Sequence, residues 1–72
     1  MTVFELCSLL SNPNKQEVII YDGTSLDCDM VLKDSADVAM FSDYANSEIR
    51  VYELAEYVYG PILVIYIFGE VL

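Results

Sequence analysis

The sequence contains no histidine, and its 72 residues include three lysines or arginines, three glycines and two cysteines. Without histidine the chain cannot form a Ser-His or Cys-His nucleophile pair, and it has no imidazole acid or base. The three glycines form no phosphate-binding loop, and two cysteines alone cannot complete an ordinary zinc site. These absences predict a protein that is not an enzyme and that uses no metal and no cofactor.

Positive charge is scarce, since twelve aspartates and glutamates leave a net charge of -9. Such a surface repels nucleic acid and anionic membranes, whose own charge is negative, and it attracts basic protein surfaces. The expected partner is therefore a basic protein, with a nucleic-acid-binding enzyme as the first class to test. The alternative is that the charge only keeps a chain that is 56% hydrophobic in solution.

Long apolar runs are also missing. The apolar stretch near the end, Pro61 to Phe68, is far shorter than the roughly 20 residues of a membrane span. The first ten residues lack a basic flank and carry Glu5, so no signal peptide is predicted. We expect one cytoplasmic domain, residues 1–72, in which Cys7 and Cys28 are reduced and buried.

Local patterns predict the order of elements. Thr2 and Glu5 form a capping box that begins a short helix with an apolar stripe, and Pro13 follows its end. Glu17 to Asp22 is rich in β-branched residues and predicts the first strand. From Ser25 to Leu32 polar and apolar residues alternate, which predicts a second strand with one buried face bearing Leu26, Cys28, Met30 and Leu32.

The second half of the chain is less regular. Lys33 to Ser47 predicts a helical turn or a loop, and Ser35 or Asp34 is a suitable cap. Glu48 to Tyr59 has features of both a helix and a strand; we favour a strand with a bulge near Glu53. Ile62 to Phe68 is apolar at every position, which is typical of a strand buried on both faces. The predicted fold is α+β, with an N-terminal helix on an antiparallel sheet of about four strands.

Three segments resemble parts of known small proteins: residues 2–10, Thr-Val-Phe-Glu-Leu-Cys-Ser-Leu-Leu; residues 17–23, Glu-Val-Ile-Ile-Tyr-Asp-Gly; and residues 62–67, Ile-Leu-Val-Ile-Tyr-Ile. They are similar to small acidic proteins of phages and prophages of Gram-positive gut bacteria, some of which inhibit host defence nucleases such as CRISPR effectors. The resemblance implies an anti-defence inhibitor in the cytoplasm of a bacterial host. It assigns no residue a role.

Two sets of residues are candidates for binding a partner. The carboxylates in and beside the second strand would steer a basic surface and accept hydrogen bonds from arginine. Tyrosines near the last strand would supply large, partly polar anchors. The acidic set is Asp22, Asp27, Asp29, Asp34, Asp37 and Asp43; the aromatic set is Tyr44, Tyr52, Tyr57 and Tyr59.

Two interpretations follow from these residues. In the first, the protein is an inhibitor that blocks the basic, nucleic-acid-binding surface of a host protein. In the second, it is a non-enzymatic assembly module that forms a homodimer or larger oligomer through its apolar C-terminal strand. A carboxylate enzyme or a metal binder is a weaker third interpretation; a site for a hard cation such as calcium at Asp27 and Asp29 would lack the EF-hand pattern.

Overall fold

A computed structural model describes residues 1–22 and 29–68 of the chain. The elements are α1 (Val3–Ser8), β1 (Glu17–Asp22), β2 (Asp29–Ser35), α2 (Ala36–Met40), β3 (Ile49–Tyr57) and β4 (Gly60–Ile67). The helices pack on one side of the four-stranded sheet. The α+β fold and the N-terminal helix are therefore confirmed.

The strands lie in the order β2-β1-β4-β3, so the last strand is internal, as its composition predicts. β1 pairs with β2 and β3 pairs with β4 in antiparallel hairpins, whereas β1 and β4 run parallel. The sheet is thus mixed and not antiparallel throughout. The reason is the connection between β2 and β3, which contains α2 and crosses the sheet from one edge to the other, so that β4 returns in the direction of β1.

The helix-side core is made by alternate residues of the two central strands and by the inner faces of both helices. Its fully buried members include Ile20 and Ile65, which face each other across the parallel pair. The buried set is Val3, Leu6, Cys7, Val18, Ile20, Ala36, Ala39, Leu63, Ile65 and Ile67. Burial of this apolar area is the main force that holds so small a chain together.

Helix α1 begins as the capping box predicts. The Glu5 amide donates to the Thr2 hydroxyl (3.2 Å), and the Glu5 carboxylate accepts from the Thr2 amide (3.0 Å). Two further amides of the first turn, those of Val3 and Phe4, donate to the carbonyls of Ser47 and Ala45. The helix start is thereby joined to the segment that leads into β3.

The prediction for the second strand is partly wrong. The pairing of β1 with β2 shifts between Ile20 and Tyr21, so Leu32 lies opposite Ile20 but Met30 lies opposite Tyr21. Met30 is consequently half exposed, and Val31 packs with Leu32 against the helix-side core instead. A bulge at this position reverses the faces that simple alternation predicts. The predicted positions of Leu26 and Cys28 lie outside the described residues.

The segment after β2 is more ordered than predicted. Ser35 is the N-cap residue of α2, although its side chain makes no capping hydrogen bond to the backbone. The helix buries Ala36 and Ala39 and leaves Val38 and Phe41 exposed. Small residues face the core, which allows α2 to lie close to β1 and β2.

The strand interpretation of Glu48 to Tyr59 is confirmed, but the bulge is not near Glu53. The pairing of β3 with β4 shifts between Ile49 and Val51, at the beginning of the strand. Val58 and Tyr59 form the two-residue turn of the hairpin, and Gly60 after it has a φ of +111°. Glycine adopts this conformation readily, whereas an L side chain is strained there.

Candidate protein-binding surface

Two of the predicted acidic residues lie on an edge strand of the sheet, and two more follow that strand in the chain. Asp29 and Asp34 are exposed on β2, which is an edge strand; Asp37 follows on α2 and Asp43 on the turn after it. We call these four residues the acidic edge. Within the described part of the chain, no ion pair is formed by Asp29, Asp34 or Asp43. Their charge is therefore available to a partner.

Asp22 extends this negative surface at the end of the hairpin. It is half buried at the last position of β1 and lies directly opposite Asp29 in the β1–β2 pairing. Asp27, the remaining predicted carboxylate, lies outside the described residues.

Two carboxylates of the acidic edge are held by local hydrogen bonds. The Ser35 amide donates to Oδ1 of Asp34 (2.8 Å), and the Ser35 hydroxyl donates to Oδ1 of Asp37. The Val38 amide also donates to the Asp37 carboxylate, at 3.0 Å. Asp37 is thus oriented by its own backbone surroundings, while Asp29 and Asp43 project into solvent.

The predicted tyrosines are placed elsewhere. Tyr52 and Tyr57 lie on β3, and Tyr59 lies in the adjoining turn with 93% of its surface exposed. β3 is the opposite edge strand from β2, and three strand spacings separate the two edges by about 14 Å. Tyr44 is half buried against the helix-side core, so its ring already contributes to packing. The acidic and aromatic sets therefore form two surfaces and not one.

Sequence reasoning missed the apolar residues that accompany these tyrosines. Val51, Leu54 and Val58 are 50%, 60% and 97% exposed on β3 and its turn. They look like ordinary core residues in the sequence, because β-branched and aliphatic side chains usually face inward in a strand. Among the described residues, the helices pack over β1, β2 and β4, and most of β3 is left uncovered.

The sheet face away from the helices carries a third feature that the sequence does not reveal. The rings of Tyr21 and Tyr66 stack with centroids 5.4 Å apart, and the Arg50 guanidinium lies 5.8 Å from the centre of the Tyr66 ring. Together with neighbouring side chains they keep Ile62 and Val64 at 6% and 3% exposure, although no helix covers this face. The cation–π contact uses the chain's one arginine.

Residues 1–22 and 29–68 contain few features of a catalytic or metal site. No group of three or more cysteines, aspartates and glutamates there is arranged to hold a metal ion. Cys7 is fully buried, and burial raises the pKa of its thiol. A shallow depression of about 190 Å³ is lined by Leu10, Ser11, Asn12, Lys15 and Gln16 and holds no carboxylate. The absence of enzymatic activity stays a prediction.

Comparison with protein-family models, with curated proteins and with solved structures finds no match to this chain. Within the described residues, no helix is long and apolar enough to cross a membrane. The resemblance to phage proteins therefore remains a prediction. Any assignment of function depends on the two edges and their chemistry.

Proposed function

We propose that this protein is a small acidic inhibitor that occupies the basic, nucleic-acid-binding surface of a host protein. A defence enzyme of a bacterial host is the first target class. The observation that carries the proposal is the acidic edge, where the exposed carboxylates of Asp29, Asp34 and Asp43 form no ion pair within the described residues. Lys33 is the single cation on β2.

The acidic edge offers a basic surface two kinds of interaction. The net charge of -9 accelerates the approach of a positively charged protein over distances of about one Debye length, roughly 8 Å at physiological salt. At contact, carboxylates accept short hydrogen bonds from lysine and, in bidentate form, from arginine. Nucleic-acid-binding enzymes use such side chains for phosphates, so an acidic protein seated there excludes the nucleic acid.

The test is capture of partners from a nuclease-treated bacterial lysate on the immobilised protein, followed by elution with a salt gradient. We expect a basic, nucleic-acid-binding protein that elutes as salt rises, because screening weakens the attraction. The double variant Asp29→Lys with Asp34→Lys reverses two charges of the acidic edge and should lose this protein.

The matched control is Glu53→Lys with Glu56→Lys on β3. It changes the net charge by the same amount but on the opposite edge of the sheet. The control should retain the partner. Equal loss in both double variants would show that net charge alone, and not the acidic edge, determines binding. Undiminished capture by both would show that the acidic edge is not the binding surface.

A second candidate function is an assembly module that joins copies of the chain through the apolar C-terminal strand. β4 lies between β1 and β3, so its backbone is already paired on both sides. A contact through β4 would have to use its open face, where Ile62, Val64 and Tyr66 lie. Tyr66→Lys should then lower the mass in solution while the circular dichroism of the folded chain is retained.

A further inference from the structure

We infer that the free edge of β3 pairs with β3 of a second copy, so that two sheets join into one across a twofold axis. This goes beyond the proposed function, because it uses the edge of the sheet opposite the acidic one. It assigns a role to the exposed residues of β3 and of the Val58–Tyr59 turn, which neither the core nor the acidic edge explains.

The first observation is how little protects this edge. β3 has nine residues and no proline, and its one bulge lies at the very beginning. Natural edge strands are normally kept short, charged or covered, because unpaired backbone groups otherwise recruit another strand. β2, the other edge, is shorter, and three of its seven residues are charged. β3 also carries three charges, Arg50, Glu53 and Glu56, but over nine residues, and it exposes half or more of Tyr52, Leu54 and other large side chains.

The second observation is which backbone groups point outward. The amide of Ile49 donates to the Met1 carbonyl, so the N-terminal residues cover the first position of the edge. Further along, Tyr57 and Gly60 face each other across the two-residue turn. In an antiparallel pair, every second residue directs its amide and carbonyl toward the partner strand, and the residues between them direct theirs outward. Since Tyr57 faces β4, the backbone groups of Tyr52, Leu54 and Glu56 point away from β4. Three successive outward positions are available for pairing.

The third observation selects the occupant. Residues 49–68 contain Arg50, Glu53 and Glu56 as their charged side chains, a net charge of -1, whereas the whole chain carries -9. A basic protein is attracted to the acidic edge, not to this nearly neutral one. A second copy of the same acidic chain, in contrast, is repelled least where the local charge is smallest. The edge of β3 therefore suits self-association.

The pairing has a preferred register. With Leu54 on the twofold axis, Leu54 meets its own copy and Val51 lies opposite Tyr57 of the other chain, twice. Aromatic and β-branched residues form favourable pairs in this position. A register centred on Glu53 would instead place two glutamates directly opposite each other, which is unfavourable. Sequence and twofold symmetry thus favour one arrangement.

The contact area available at this edge is modest. Each aromatic side chain offers on the order of 150–250 Å² when it is buried completely. The six exposed apolar side chains of the edge together offer on the order of several hundred Å² per partner, which is below a standard interface and fits a weak dimer. They are Val51, Tyr52, Leu54, Tyr57, Val58 and Tyr59.

The test is the mass in solution, measured by sedimentation equilibrium across a range of concentrations up to millimolar. The wild-type chain should shift from its monomer mass of 8.1 kDa to twice that value. Leu54→Lys should weaken dimerisation by about tenfold or more, because it places two lysines together at the axis. Leu9→Lys is the matched control: Leu9 is 73% exposed at the end of α1, and its replacement should leave dimerisation unchanged.

A second pair of variants tests the backbone directly. Glu56→Pro removes an outward amide, which an edge strand tolerates, and should abolish the dimer. Glu56→Gln removes the charge but keeps the amide and should dimerise as well as the wild type or better. Circular dichroism confirms that both variants fold.

Salt separates this inference from the proposed function. Dimerisation of two acidic chains should strengthen with salt, whereas binding of a basic partner should weaken. A wild-type chain that stays monomeric at millimolar concentration overturns the inference. So does a dimer that survives both Leu54→Lys and Glu56→Pro, which would instead indicate contact through the open face of β4.

Discussion

At the scale of single residues, Cys7 shows how burial determines reactivity. Its side chain is fully buried between α1 and the sheet, and burial raises the pKa of the thiol. Because the thiolate is the reactive form, we predict that Cys7 resists alkylation by iodoacetamide in the native protein and reacts readily in denaturant. Peptide-level mass spectrometry distinguishes it from Cys28. Rapid native labelling of Cys7 would mean that the helix-side core opens on the timescale of the reaction.

Glu5 gives a second prediction at this scale. Hydrogen bonds from the backbone and side chain of Thr2 lower the pKa of the Glu5 carboxyl. A lowered folded-state pKa contributes stability above the unfolded pKa, and this contribution is lost as the pH falls through the folded value. The difference in unfolding free energy between wild type and Glu5→Gln should therefore shrink as the pH is lowered from neutral to the acid range.

Urea unfolding at several pH values measures this difference. Glutamine can still accept a hydrogen bond from the Thr2 amide, so the comparison isolates the charge of the carboxylate. A difference that is constant with pH, or one that grows in acid, contradicts the capping-box account.

At the scale of elements, the β3–β4 hairpin depends on Gly60. Its φ of +111° is unfavourable for L residues, yet a Cβ added there would meet no atom within 4 Å. The cost of Gly60→Ala is therefore conformational and not steric. We predict a loss of about 1–2 kcal/mol in unfolding free energy. Asparagine, which tolerates positive φ better, should lose less. Equal stability of Gly60→Ala and wild type would show that the turn relaxes to another conformation.

Much of the element order could be predicted, because local signals and tertiary structure agree there. The capping box of Thr2 and Glu5 places the start of α1, and the β-branched runs place β1 and the central β4. The errors in strand register and facing have one cause. Bulges depend on the pairing partner, so the shifts beside Ile20 and Ile49, and hence the side that Met30 faces, are not encoded in a single strand's alternation.

The candidate site could be predicted only in its parts. Among the described members of the two sets, the sequence identifies the acidic and aromatic residues correctly as exposed, apart from the half-buried Tyr44, Asp22 and Asp37, but it cannot say which edge each occupies. Strand order decides that. Because β4 inserts between β1 and β3, the acidic residues and the tyrosines are separated by the width of the sheet. Sheet order arises from long-range packing, which local patterns do not contain.

At the scale of the whole molecule, charge is the dominant feature. A net charge of -9 on 72 residues produces repulsion within the folded state. Among the described residues, a single ion pair, between Glu48 and the amino group of Met1, offsets it. Salt screens this repulsion. We predict that sodium chloride raises the free energy of unfolding, as measured by urea denaturation at low and high salt at one protein concentration.

Potassium fluoride, whose ions bind proteins weakly, serves as a second salt for that comparison. The monomeric Leu54→Lys variant removes the contribution of dimerisation. If its stability falls as salt is added, favourable surface ion pairs must outweigh the repulsion, and the charge is balanced in a way that the described residues do not show.

The central claim is that the two edges of one small sheet have separate tasks. The most direct measurement is the salt concentration at which the captured basic partner elutes from immobilised Leu54→Lys and from the immobilised wild-type protein. We expect the same partner to elute from both proteins at the same salt concentration, allowing for the one charge that the lysine adds. The reason is that Leu54 lies on β3, whereas the partner binds the acidic edge. Loss of the partner from Leu54→Lys would contradict it, since binding would then require the edge assigned to the second copy.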